Sequence, residues 1–233
     1  MFKKILIIFL FVLPNTVSAI SVSKMLVLAD RNGRAIITLT NPDEQAVYIK
    51  LRVFEVVTHN GETKKIEYTE NNFPEWKIRL NTYKTILDPG RVKDVTVESL
   101  CSSKCNYEKD LSFFVYIEPY IPAEKRTNSG VVVNYGYAPL VIIPTDNDNY
   151  KFEVKNLKSS IVLKNVGNKV INFEVNHCTI DLKSDSCSFN TLVLPGRVRN
   201  LALPESFKDK KLKVTAYGVD NIYKSEGIYK VLQ

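Results

Sequence analysis

Thiols and imidazoles are the side chains here whose types could carry chemistry: Cys101, Cys105, Cys178 and Cys187, with His59 and His177. A metal centre would draw on the thiols and His177, yet their spacings match no zinc-ligand pattern. A thiol nucleophile would need a base on its own side, but His177 and Cys178 are adjacent, and neighbours in an extended strand point to opposite faces. No glycine-rich phosphate loop and no serine or cysteine nucleophile motif accompanies them, and the carboxylates are scattered. The expectation is a protein that is not an enzyme, with no metal and no cofactor. Lys208, Lys210, Lys211 and Lys213 crowd together in a chain of net charge +7. They alternate with Asp209 and Leu212 as a solvated strand face does, without a nucleic-acid-binding motif, so no nucleic acid is expected as a partner.

The redox state of the cysteines depends on the compartment, and the first residues speak to that. Lys3 and Lys4 precede an apolar run from Ile5 to Leu13, a break at Pro14 and the small-residue ending Val17-Ser18-Ala19. This is the pattern of a cleavable export signal over residues 1–19, with Ile20 as the first mature residue. The run is well short of the roughly 20 residues that cross a bilayer, and no later stretch is apolar enough, so no membrane insertion is expected. In an exported chain the two close cysteine pairs are read as local disulfides, Cys101-Cys105 and Cys178-Cys187. Each would stabilise the fold by roughly 2–3 kcal/mol through loop closure.

What positions these residues is a series of short alternating segments. Val47, Ile49, Leu51 and Val53 alternate with Tyr48, Lys50 and Arg52; Ile171, Phe173 and Val175 alternate with Asn172, Glu174 and Asn176; Leu212, Val214 and Ala216 alternate with Lys213 and Thr215. Each pattern gives a strand with one buried and one wet face, and the chain is expected to be all-β. An internal echo sets the number of domains. Leu87-Asp88-Pro89-Gly90-Arg91-Val92-Lys93 recurs as Leu194-Pro195-Gly196-Arg197-Val198-Arg199, a proline-glycine turn feeding a strand. Ile37-Thr38-Leu39-Thr40-Asn41 likewise recurs as Ile161-Val162-Leu163-Lys164-Asn165. Two immunoglobulin-like β-sandwich domains in tandem, with a cleft between them, explain both echoes. The polar, turn-rich segment Pro144-Thr145-Asp146-Asn147-Asp148-Asn149 divides them into residues 20–143 and 144–233.

Several motifs in order carry a resemblance. They are Phe73-Pro74-Glu75-Trp76, the Leu87-Asp88-Pro89-Gly90 turn, Phe113-Phe114-Val115-Tyr116-Ile117-Glu118 ahead of Ile121-Pro122, and Val133-Asn134-Tyr135-Gly136-Tyr137-Ala138-Pro139-Leu140 running into Pro144. Asn165-Val166-Gly167-Asn168, Cys178, Cys187 and Leu194-Pro195-Gly196 complete the set. In this the chain resembles the PapD-like periplasmic chaperones that assemble chaperone–usher pili, and more closely the alternate, colonisation-factor-type subclass. The resemblance implies a periplasmic protein that stabilises incomplete pilin subunits by lending them a strand, and delivers them to an outer-membrane usher. A secreted immunoglobulin-like structural or adhesive surface protein is the alternative reading.

The lent strand is implied to be the last of the first domain, about Gly130 to Ile143. Val131, Val133, Tyr135 and Tyr137 form the continuous row of large side chains expected to fill the subunit groove; a slip of one residue would instead turn that row to the domain's own core. The family's cationic anchor for the subunit's terminal carboxylate has a candidate in Lys24. Ala138-Pro139 stand where a strand lysine would be, and Ile142-Ile143 where an arginine of an interdomain ion pair would be. An exposed apolar edge also suggests a self-capping oligomer.

Overall fold

The computed structural model describes residues 20–100, 107–120, 122, 135–178 and 187–232. The expected export signal, Val131, Val133 and the Cys101-Cys105 pair lie outside them. The described chain is built of strands, as the alternation requires: β1 (Ser21–Val22), β2 (Leu26–Leu28), β3 (Arg34–Thr40), β4 (Val47–His59), β5 (Glu62–Glu67), β6 (Ile78–Leu80), β7 (Lys84–Leu87), β8 (Val92–Ser99), β9 (Leu111–Tyr120) and β10 (Leu140–Ile143) make the first sandwich. Its two sheets run β1-β3-β8-β6 and β2-β10-β9-β4-β5, with β7 also paired to β4. The second sandwich holds β11 (Phe152–Asn156), β12 (Ser160–Asn165), β13 (Ile171–Asn176), β14 (Ser188–Val193), β15 (Val198–Ala202), β16 (Leu212–Gly218) and β17 (Lys224–Tyr229), in sheets β11-β12-β15 and β14-β13-β16-β17. The paired immunoglobulin-like architecture matches the expectation.

Each sandwich closes on its own core. Ile37, Leu39, Ile49, Leu51, Phe113 and Ile117 are buried in the first, and Ile161, Leu163, Phe173, Val175, Val214 and Ala216 in the second. These are the alternating apolar positions of the sequence, each sheet turning one face inward. Trp76 packs as a loop anchor, stacked on Tyr68 at 5.3 Å and donating its indole N–H to Asn72.

The two echoes meet in space, and do so twice. Asn41, at the end of β3, accepts the Gly90 N–H at its carbonyl (2.9 Å), while its side-chain amide donates to the carbonyls of Gln45 and Leu87. Asn165, at the end of β12, accepts the Gly196 N–H (3.0 Å) and donates to Lys169 and Val193 in the same way. Gly90 and Gly196 have φ of 66° and 76°, the left-handed backbone for which the proline-glycine pair is suited. Both asparagines are fully buried, so their polar groups must be satisfied inside the fold, and these turns satisfy them. The lysine cluster departs from the expected strand face: only Lys213 lies in β16, while Lys208 and Lys210 sit in the preceding turn, where Asp209 takes a left-handed φ of 56° and Lys208 pairs with Glu205. The alternation there was produced by a turn, whose exposed positions also favour charge.

Candidate functional site

The segment after residue 134 forms the rim of the first sandwich. Tyr137 and Ile117 exchange both backbone hydrogen bonds (2.8 and 3.0 Å), and Leu140–Ile143 face Phe114–Leu111 in the same unbroken register. An antiparallel pair that bonds through Tyr137 turns the N–H and C=O of Gly136 and Ala138 the other way, towards the sheet's outside. Beyond them that outside edge is taken: Leu140 donates to Met25 (2.8 Å), and β2 pairs with β10 in parallel from there on. Among the described residues nothing bonds to the backbone of Gly136 or Ala138, and Tyr135 beside them is 61% exposed. The open part of the edge therefore ends at Ala138.

The register also fixes the faces. Tyr137 shares a face with Ile117, Val141 and Ile143 and packs half-buried on the first core, which corrects the expectation that it fills a guest's groove. For this residue the inward parity holds. The two-sided apolarity of Leu140–Ile143 has a cause within the chain as well. Val141 and Ile143 enter the first core, whereas Leu140 and Ile142 join Val170 and Leu194 of the second sandwich in a separate buried cluster, flanked by Val56, Phe114, Leu192 and Val219. Leu140 and Ile142 thus join the domains, and all four residues of β10 are buried.

The opposite face beside the open edge is small and then polar. Gly136, Tyr137 and Ala138, with Tyr116, Glu118 and Pro119, line a depression of ≈ 320 Å³. Arg52 spans Glu118 (2.5 Å) and Glu67 (3.1 Å) next to it, which holds the guanidinium well above its usual pKa and the Glu118 carboxyl below its own. Lys65 lies over the rings of Phe114 and Tyr116 and donates to the Tyr116 hydroxyl (2.7 Å).

The joint between the sandwiches also holds a buried polar cluster. Asp110, buried ahead of β9, accepts the amides of Thr145 (2.9 Å) and Val170 (2.7 Å), and Lys169 reaches it at 3.3 Å while also pairing with Asp148 at 3.1 Å. Burial, the strongest influence, pushes the Asp110 carboxyl up, against the pull of the two amides and Lys169. Lys169 and Asp110 were missed in the sequence: a charge in a turn carries no mark of burial, and the interdomain ion pair sought at Ile142-Ile143 is made elsewhere. The β4–β5 hairpin adds a third contact, Val198 donating to the Gly61 carbonyl at 2.8 Å.

Lys24 is exposed between β1 and β2, one residue before Met25, at the corner where β2 meets β10. Cys178 and Cys187 form the expected disulfide across the β13–β14 connection, and the His177 amide donates to the Cys187 carbonyl (3.0 Å).

Comparison with known proteins sets this arrangement in context. A family model described as the CS5 fimbrial protein N-terminal domain matches residues 22–144. No curated protein sequence matches the chain. Among solved structures, the class 5 fimbriae chaperone CfaA superposes with a TM-score of 0.59 at 16% identity, over 91% of this chain and all of that one. A structure of the CsuC-CsuE chaperone-tip adhesion subunit pre-assembly complex from Acinetobacter baumannii gives 0.60 at 12% identity, over 93% of this chain and 100% of that one. One of the Salmonella enterica SafA pilin with the SafB chaperone gives 0.57 at 10%, over 92% and 97%. At these identities the likeness is one of fold.

Proposed function

This chain belongs to the family described as the CS5 fimbrial protein N-terminal domain, and from that premise we propose that it is a periplasmic chaperone of a chaperone–usher pilus system. It binds pilin subunits, completes their unfinished sandwich with its own edge, and hands them to an outer-membrane usher. The reading assigns it no catalytic step. The observation that carries it is the rim at Tyr135–Ala138: a segment bridged to β9 through Tyr137, with outward backbone groups at Gly136 and Ala138 and no strand beside them among the described residues. An edge of this kind is a template for another chain, and main-chain bonding along it gives affinity whatever the guest's sequence.

In this reading the lent segment lies ahead of Pro139 and includes Val131, Val133 and Tyr135, with Tyr137 as its inner footing. Lys24, at the β2–β10 corner, is the candidate partner for a guest carboxylate. Residues 1–19 serve as the export signal, the domains divide at 143/144, and Cys101 and Cys105 form a second local disulfide.

Co-expression with the cognate pilin tests the proposal. Ala138→Pro removes an outward N–H and leaves the bonds to β9 intact, so the variant is expected to fold, to be exported, and to lose subunit capture. Capture at the parent's level by a folded Ala138→Pro chain would overturn the edge assignment.

A further inference from the structure

The second sandwich has an edge of its own along which no strand is paired among the described residues. In the first, β8 is flanked beyond residue 96 by β6, and Asn81 binds Thr96 on both of its backbone groups. Its counterpart by the sequence echo, β15, bonds to β12 on one side and has no strand on the other among the described residues. Odd residues of β15 bond inward, Arg197 and Leu203 being the terminal pairs. The N–H and C=O of Asn200 and Ala202 therefore face out. A guest strand or a second copy meets here a chemistry much like that of the first edge.

Side-chain direction separates the two. Leu163, fully buried, faces Arg199 across the ladder, so Arg199 points into the sandwich, where its guanidinium donates to the Thr191 hydroxyl (2.5 Å) and to the Leu192 carbonyl (3.5 Å) on the facing edge strand β14. The first sandwich has a partial parallel: Lys93, at the matching echo position, shares a face with Leu39 and donates to the hydroxyl of buried Thr85 (2.5 Å), though Lys93 itself is exposed. Arg197 lies two residues before Arg199 on the same inward side, where burial and Arg199 push its pKa down. Among the described residues no carboxylate pairs with either arginine. A guest side chain entering the gap between β14 and β15 would have to displace or desolvate these cations without a counter-charge.

We infer that Arg199, seconded by Arg197, is an edge guard: an inward cation that keeps β15 from pairing with foreign strands and so confines strand lending to the rim of the first sandwich. Inward-pointing charge, short length, flanking prolines and a covering loop are the means by which open edges are kept single. β15 has all four, with Pro195 and Pro204 at its ends and the Gly61 hairpin on its first amide.

Sedimentation of the free protein, without any pilin, tests the guard independently of the chaperone reading. Arg199→Met keeps the packing stem and removes the charge; it is expected to stay folded and to self-associate about tenfold more tightly than the parent. Arg199→Lys should behave as the parent. Adding Asn200→Pro to Arg199→Met removes an outward donor of β15 and should return the protein to the parent's state, whereas association that survives this proline lies elsewhere and overturns the inference. A folded Arg199→Met chain with unchanged self-association also overturns it. So does an Arg199→Met chain that fails to fold while Arg199→Lys folds, since the arginine would then serve core closure alone.

Discussion

Two rims of one repeated sandwich differ in what stands beside their outward backbone groups. At Gly136 and Ala138 the outward backbone groups stand beside small side chains and an exposed Tyr135; at Asn200 and Ala202 the same groups stand over two inward arginines, with a proline at each end. The backbone chemistry is common to both edges, so openness to a guest is decided by what the adjacent side chains do to the space between the sheets. On the proposed reading, a sandwich becomes a lender by leaving out the guard on one edge, provided the other edges keep theirs.

The joint is where this contrast is most easily broken. Lys169 is 6% exposed and Asp110 0%, so Lys169→Met leaves a buried carboxylate facing Asp148 without its cation, and should cost roughly 3–5 kcal/mol in thermal or denaturant unfolding. The same change should loosen the Gly61 cap on Val198, which would show as faster amide exchange at Val198 without a change at Ile117. A loss of stability with the cap intact would make the joint and the edge independent.

A smaller effect sharpens the pseudo-symmetry. Asn41→Ala and Asn165→Ala each leave two carbonyls of a turn without donors, and each should destabilise by roughly 1–3 kcal/mol. The Asn165 variant should also disturb the arginine guard, because the turn that its side chain holds carries the backbone N–H of Asn165 that donates to the Arg197 carbonyl, just ahead of β15. Its self-association by sedimentation should then exceed that of the Asn41 variant; equal values would detach the turn from the guard.

Much of the fold was legible because its determinants are local. Period-two alternation placed the faces of β4, β13 and β16, and the repeated Pro-Gly-Arg and terminal asparagine placed the matching corners, with the glycines at positive φ as the turn demands. The disulfide at Cys178 and Cys187 followed from spacing and the expected compartment. The site was less so, since face and burial are set across the sheet. Alternation alone leaves the face of Tyr137 undecided; the partner Ile117 decides it, 20 residues earlier in the chain. The apolar run Leu140–Ile143 fell at the end of the strand expected to be lent, and is divided between a core and a domain joint. Nothing in the local sequence marks Lys169 as buried or Arg199 as inward, although the echo of Lys93 in Arg199 was visible once the two copies were aligned.

The most direct test of the account is amide hydrogen exchange on the chain alone and on its complex with the co-expressed pilin. Lending the rim of the first sandwich predicts that the amides of Gly136 and Ala138 slow by about 100-fold or more in the complex, while those of Asn200 and Ala202 stay as they were. Unchanged exchange at Gly136 and Ala138 in a pilin-bound chain, or protection moving to β15 instead, would contradict it.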